Sequence, residues 1–410
     1  MTDSPAVKIS RNVILLVIVA SLGYFVDIYD LMIFSIVRIK SLHDIGIADN
    51  DIRSQGVYVI NMQMFGLLLG GLLWGILGDK LGRIKVLFGS ILLYSLANFA
   101  NGMVHDINTY AMVRFIGGIG LAGELGAGIT LVSEALPKEK RGYGTMTVGV
   151  IGLFGAVAAG IAGKYDWRTA YYIGGGLGMI LLLLRMGTFE SGLYKNVSAT
   201  KISKGNILIL FNNWRRFLKY LSCILMGVQI WFVVGIIVTL SPEFAKDLGA
   251  KETISAGTGV MCGYAGAAIG NVFASTLAQF TKSRKLTMLV FMGLTVLSVS
   301  LFLNAKGITN NQFILLCLFM GVATGYFATV VTIAAEQFGT NIRATVTTTV
   351  PNFIRATLIP INAAFGFLVT RYGMIKSGYI ILFALTAIAL FALSRLKESF
   401  SKDLDYVEIE

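Results

Sequence analysis

Residues 12–38 read NVILLVIVASLGYFVDIYDLMIFSIVR. A bilayer core about 30 Å thick is crossed by about 20 apolar residues in a helix, and this run is long enough to do so. It also holds Asp27 and Asp30, three residues apart and on nearly one helix face. Charge inside a membrane is expensive and by default marks a functional group facing a cavity or a partner. Comparable apolar runs recur almost to residue 396.

Composition agrees with this reading. Of 410 residues, 55% are hydrophobic and only 14% charged, against about a quarter in ordinary soluble domains. The chain therefore reads as an all-α polytopic membrane protein. The leader MTDSPAVKISRN is followed by no small-residue cleavage site, so the first run is taken as a span rather than a signal peptide. Cys223, Cys262 and Cys317 fall in apolar segments and His43 and His105 stand far apart, a pattern suited to small buried hydrophobes rather than to disulfides or a metal. No metal and no cofactor are expected. The net charge of +12 is spread over loops in a way that orients a membrane protein, so nucleic acid is not an expected partner.

Twelve spans are predicted: 12–38, 54–77, 86–104, 108–136, 143–163, 168–187, 217–241, 254–279, 286–304, 311–338, 344–370 and 376–395. With the N-terminus inside, about 22 Lys and Arg fall on the cytoplasmic side against about 10 outside, which obeys the positive-inside rule. Both termini are then cytoplasmic. The organisation expected is a six-helix bundle at 1–187, a basic cytoplasmic linker at 188–216, a second six-helix bundle at 217–396 and a short acidic tail at 397–410. The halves match at an offset of 202: Gly123 with Gly325, Thr130 with Thr332, Glu134 with Glu336, Arg141 with Arg343. Two six-span repeats with a site between them is a transporter architecture.

Residues 75–85, GILGDKLGRIK, lie between the second and third spans. They resemble the signature loop of the major facilitator superfamily. RFIGGIG at 114–120 and EALPKEKRG at 134–142 resemble further signatures of its sugar-and-other-metabolite branch, with DWR at 166–168 and KESFSKDL after the last span in keeping. The resemblance implies twelve transmembrane helices in two bundles and alternating access. It implies a conformational latch at Gly75, Asp79, Gly82, Arg83, Glu134, Arg141, Glu336 and Arg343. The seventh span lacks the paired glutamines and asparagine of sugar carriers, and the fifth lacks the glycine–proline element of drug antiporters. What remains is most similar to metabolite:proton symporters and the related carboxylate and sialic acid carriers.

Five intramembrane charges stand out: Asp27, Asp30, Arg114, Glu124 and Arg355. Asp27, about 22 Å into its helix, is read as the proton-coupling carboxylate with Arg114 as its partner; a permanent structural pair is the other reading. Asp30 shares that role or sits in a wet vestibule, and Glu124 is a second protonation site or a packing group. Arg355 offers a planar fork suited to a carboxylate; alternatively it neutralises Asp27, Asp30 or Glu124. Tyr24, Gln63, Gln229, Trp231, Tyr326 and Asn352 are the polar and aromatic groups placed to line a cavity for a small polar molecule.

The function expected is proton-coupled symport of a small anionic or zwitterionic metabolite, a carboxylate or an amino-acid-like compound, by a monomer in a bacterial inner membrane. Proton-driven efflux of a metabolite or drug is the alternative within transport, and a transport-dead solute receptor the alternative outside it. No nucleophile, metal cluster or phosphate loop suggests an enzyme: the Gly-rich stretches at 117–128 and 174–178 lie inside spans, where small residues serve helix packing.

Overall fold

The structure is a computed structural model that describes residues 11–81, 83–136, 141–190 and 209–400. Among them the regular structure is helical throughout, as it must be where lipid offers the backbone no hydrogen bonds. The first half comprises α1 (Arg11–Asp44), α2 (Ile52–Leu81), α3 (Arg83–Asn101), α4 (Ile107–Leu121), α5 (Glu124–Ala135), α6 (Arg141–Ala162) and α7 (Trp167–Glu190). The second comprises α8 (Ile209–Asn212), α9 (Trp214–Leu225), α10 (Val228–Phe232), a π-helical segment Val233–Val238, α11 (Ser241–Asp247), α12 (Ala256–Thr281), α13 (Arg284–Leu303), α14 (Asn310–Thr324), α15 (Phe327–Glu336), α16 (Thr340–Ala356) and α17 (Leu358–Arg395).

Several expected spans are divided. The fourth breaks at Gly123, between α4 and α5, and the tenth breaks at Gly325 and Tyr326, between α14 and α15. Gly123 and Gly325 are the pair matched by the offset of 202, so the repeat reappears as a recurrent helix break. The seventh span is α9, α10 and a π-helical turn in series rather than one helix. α17 carries Gly373 at φ +75°, ψ 171°, which separates the eleventh crossing from the twelfth. α7 extends to Glu190 and α9 begins at Trp214, both inside the expected 188–216 linker; residues 191–208 lie outside the described set.

Within the first bundle α1 packs on α6 and α7, α2 on α4, and α3 on α4 and α7; within the second α12 packs on α14 and α13 on α14 and α17. Lipid gives no hydrophobic drive to these contacts, so close backbone approach supplies them. α12 and α14 show it: a Cβ at Gly321 would run into the Gly263 carbonyl. Gly321→Leu should therefore cost about 3 kcal/mol, read as a lower unfolding temperature of the detergent-purified protein; an unchanged temperature would mean the two helices can part freely.

Loops fix the bundle ends. At the end away from the N-terminus, Arg168 donates to the Gly102 and Val104 carbonyls (3.0 and 2.8 Å) and pairs with Asp44 at 3.2 Å. At the other end residues 397–400, the described part of the expected 397–410 tail, are bonded to the second bundle, Lys397 accepting from Gln337 and Ser399 donating to Glu336. Burial alone would raise Glu398, but donors from Ser283 and the Arg284 and Lys285 amides bring it down to about 2, which caps α13. That contribution is present above the ordinary carboxylate pKa and is lost as pH falls towards 2.

The two bundles meet along a seam, where α6 and α1 touch α12, and α2 and α5 touch α16. The candidate site lies on that seam.

Candidate functional site

Three carboxylates and three guanidiniums are buried at the middle of the bundles, and they form three ion pairs. Arg114 on α4 donates Nη1 to Asp30 Oδ1 and Nη2 to the Asp30 carbonyl, both at 2.8 Å, with the Tyr171 ring 5.6 Å away. Arg185 on α7 holds Glu124 through both carboxylate oxygens. Arg355 on α16 reaches across the seam to Asp27 through one contact, Nη2 to Oδ2 at 3.5 Å.

The expected Asp27–Arg114 pair is therefore corrected: Arg114 belongs to Asp30. Three residues along a helix turn a side chain by about 60°, enough to aim Asp30 into its own bundle while Asp27 faces the other. Arg185 is a group the sequence reading missed, because a lone arginine near the end of an apolar run passes for a span-end anchor. Gly23, one turn before Asp27, makes room for it: a Cβ there would overlap both Glu124 and Arg185.

The pairs differ in degree: Asp30 Oδ2 and Arg114 Nε lack a partner among the described residues, but Arg114 makes two bonds at 2.8 Å where Arg355 makes one at 3.5 Å. At the seam, Asp27 Oδ1, Arg355 Nε and Nη1, and Trp231 Nε1 are buried without a hydrogen-bond partner among the described residues. Arg355 stands 5.8 Å over the Trp231 ring, and Tyr24 and Tyr264 lie within electrostatic reach of Arg355 and Asp27. Buried polar groups are ordinarily bonded, so a guanidinium with two idle nitrogens beside an idle indole N–H leaves donors open to an acceptor.

The other expected cavity groups divide. Gln63 donates to the Leu31 carbonyl at 3.4 Å. Gln229 donates to Thr386 at 2.5 Å and accepts from Tyr326 at 3.3 Å. These three are engaged inside their own bundles. Asn352 bridges the seam, donating to the Ala122 carbonyl at 2.9 Å and to the Thr348 carbonyl at 3.0 Å, and its Oδ1 is unpartnered among the described residues.

Of the latch positions, Gly75 faces Thr349 across the seam, and Glu336 pairs with Arg284 at 3.1 Å and accepts from Ser399 at 2.7 Å. Gly82 and the side chains of Asp79, Arg83, Glu134, Arg141 and Arg343 lie outside the described residues. The seam is closed towards the N-terminal end by Gly126 against Thr348 and Gly149 against Asn271, and at the far end by Gly160 against Met261 and Asn362 on Asn61 at 2.7 Å. The charges between are thus sealed from both sides. No group of three or more His, Cys, Asp or Glu able to hold a metal ion occurs among the described residues.

Comparison with known proteins bears on this arrangement. The family model of the Major Facilitator Superfamily matches residues 20–355. A Bacillus subtilis protein named for niacin and nicotinamide transport is 29% identical over 222 residues, 53% of this chain and 53% of its own. The 3-(3-hydroxy-phenyl)propionate transporter of Escherichia coli is 34% identical over 138 residues, 33% of this chain and 34% of its own. The chain thus spans about half the length, or less, of these curated relatives. The crystal structure of a D-xylose–proton symporter superposes with a TM-score of 0.70 at 17% identity, covering 96% of this chain and 100% of that one. That likeness shows the fold: twelve transmembrane helices in two six-helix bundles.

Proposed function

We propose that this chain, which belongs to the Major Facilitator Superfamily and is a multi-pass membrane carrier rather than an enzyme, moves a small organic carboxylate together with a proton. The observation that carries the reading is the incompletely satisfied Asp27–Arg355 pair across the seam. A substrate carboxylate would approach through the idle Nε or Nη1 of Arg355 and, once Asp27 releases Nη2, take one of the two-donor edges Nε–Nη2 or Nη1–Nη2 in the planar geometry that guanidinium favours, with its flat or apolar part against Trp231.

Charge bookkeeping then supplies the coupling. Asp27, Asp30 and Glu124 balance Arg114, Arg185 and Arg355 in the empty carrier. An added monoanion breaks that balance in a medium where an unpaired charge is costly, and one proton restores it. Asp27 is the carboxylate that gives up its partner to the substrate, so Asp27 takes the proton. Asp30–Arg114 and Glu124–Arg185, each held by two bonds, orient the first bundle and remain paired. Alternating access follows from rocking the bundles about the seam. Two of the relatives' printed substrates, niacin and 3-(3-hydroxyphenyl)propionate, are carboxylic acids and support the class, while the nicotinamide printed beside niacin is a neutral amide. A bacterial inner membrane with both termini cytoplasmic is the corresponding placement.

The test is a thermal-shift titration of purified protein with nicotinate, 3-(3-hydroxyphenyl)propionate and D-xylose. Wild type should be stabilised by at least one carboxylate and not by xylose. Arg355→Gln should lose the shift, and Asp27→Asn combined with Arg355→Gln, which restores charge balance, should lose it as well. A xylose response, or a carboxylate response that survives in both variants, would overturn the reading.

A further inference from the structure

Arg38 lies eleven residues beyond Asp27 on α1, and eleven steps of about 100° return to within about 20° of the same face, about 16 Å further along. One face of α1 therefore sends two side chains to the other bundle, Asp27 at mid-membrane and Arg38 at the end away from the N-terminus. Arg38 is fully buried. Its Nη2 donates to Glu243 Oε1 at 2.6 Å and to the Thr239 carbonyl at 3.3 Å.

Both partners stand where the seventh crossing is irregular. Thr239 ends the π-helical Val233–Val238 segment, and Glu243 follows Pro242 in the separate helix α11. π-Helical turns disrupt the regular ladder and recur at functional positions. The pair is also poorly satisfied: Arg38 is fully buried and Glu243 partly so, yet Arg38 Nε and Nη1 and Glu243 Oε2 have no partner among the described residues. On α2, Gly56 leaves the slot that Arg38 occupies, since a Cβ there would meet the arginine stem. Neither residue takes part in the central charge balance.

We propose that Arg38–Glu243 is the latch that holds the seam shut at the end away from the N-terminus, and that it breaks each time the carrier opens there. An ion pair with one partner on each bundle contributes only while the bundles touch, so it biases the closed state by its own strength. Its unsatisfied atoms keep that strength moderate, so opening stays accessible. The proposal rests on alternating access and not on which solute is carried.

The experiment needs no substrate. In a Cys262→Ala background, which removes the half-buried thiol and leaves Cys223 and Cys317 buried, two reporters are made separately. Met261→Cys packs against Gly160 at the latched end; Thr348→Cys packs against Gly126 at the other end. Labelling by a bulky maleimide is timed in nanodiscs. Arg38→Gln and Glu243→Gln should each raise the Met261→Cys rate about tenfold, the effect of a 1.4 kcal/mol shift, and lower the Thr348→Cys rate. The double variant should do no more than either single one, as coupled partners require.

Unchanged rates, additive effects, or a rise at both reporters together would overturn the latch, the last because it signals a loosened fold. Glu243→Gln decides alone if Arg38→Gln is not recovered. Failure here leaves the carboxylate reading untouched, because no ligand enters the assay.

Discussion

Arg114→Gln should destabilise the purified protein by about 3–5 kcal/mol, the range for removing one member of a buried pair and leaving the other charged. Asp30 is fully buried, and the guanidinium serves its carboxylate and its backbone carbonyl at once. Removing it strands the carboxylate, while the carbonyl keeps its bond within the helix. Arg114→Lys should recover little, because an ammonium is a point charge without the planar fork. Asp30→Asn combined with Arg114→Gln should recover much of the loss, since the stranded charge is gone. Arg355→Gln should cost clearly less than Arg114→Gln, because its pair is a single contact at 3.5 Å and two of its donors are already idle. Unfolding temperatures of the four variants in one detergent order these costs. Arg114→Gln no less stable than Arg355→Gln would reverse the division between an orienting pair and a working pair.

That division was out of reach of the sequence, and the reason is geometric. Apolar runs and a signature loop locate twelve crossings and the charges within them, because length and hydropathy are local properties. Which way Asp27 and Asp30 point depends on how α1 is rotated between two bundles, and a turn of about 60° decides it. Arg185 and Arg38 escaped notice for a related reason. Each stands near the end of an apolar run, where a long cation ordinarily snorkels to the interface, and only the packed structure shows them buried. Gln63, Gln229 and Tyr326 are the opposite case. Polar groups in a membrane suggest a cavity, yet every such group must bond somewhere, and these three bond within their own bundles. The helix breaks were partly legible: the offset of 202 matched Gly123 with Gly325 without saying that both would interrupt a span.

Asp27→Asn should separate binding from coupling. In wild type the Asp27 carboxylate and the substrate carboxylate compete for Arg355. A protonated Asp27 leaves the guanidinium to the substrate; an ionised one contests it. Anion affinity should therefore fall as pH rises, by about tenfold per unit once Asp27 is ionised in the free protein, since binding then takes up one proton. Asparagine at 27 removes both the competitor and the proton site. The variant should bind the anion at least as tightly as wild type does at its most favourable pH, with no pH slope. In proteoliposomes it should lose accumulation driven by an inward proton gradient and retain exchange of labelled for unlabelled substrate, which requires no net proton movement. Nicotinate serves as the probe over a range in which its own carboxyl stays ionised. A pH slope shared by wild type and Asp27→Asn would remove the proton from Asp27, and Glu124→Gln, if it alone flattened the slope, would reassign it to the Glu124–Arg185 pair. A flat response in wild type as well would mean that Arg355 and Asp27 never part, leaving their contact a static tie between the bundles.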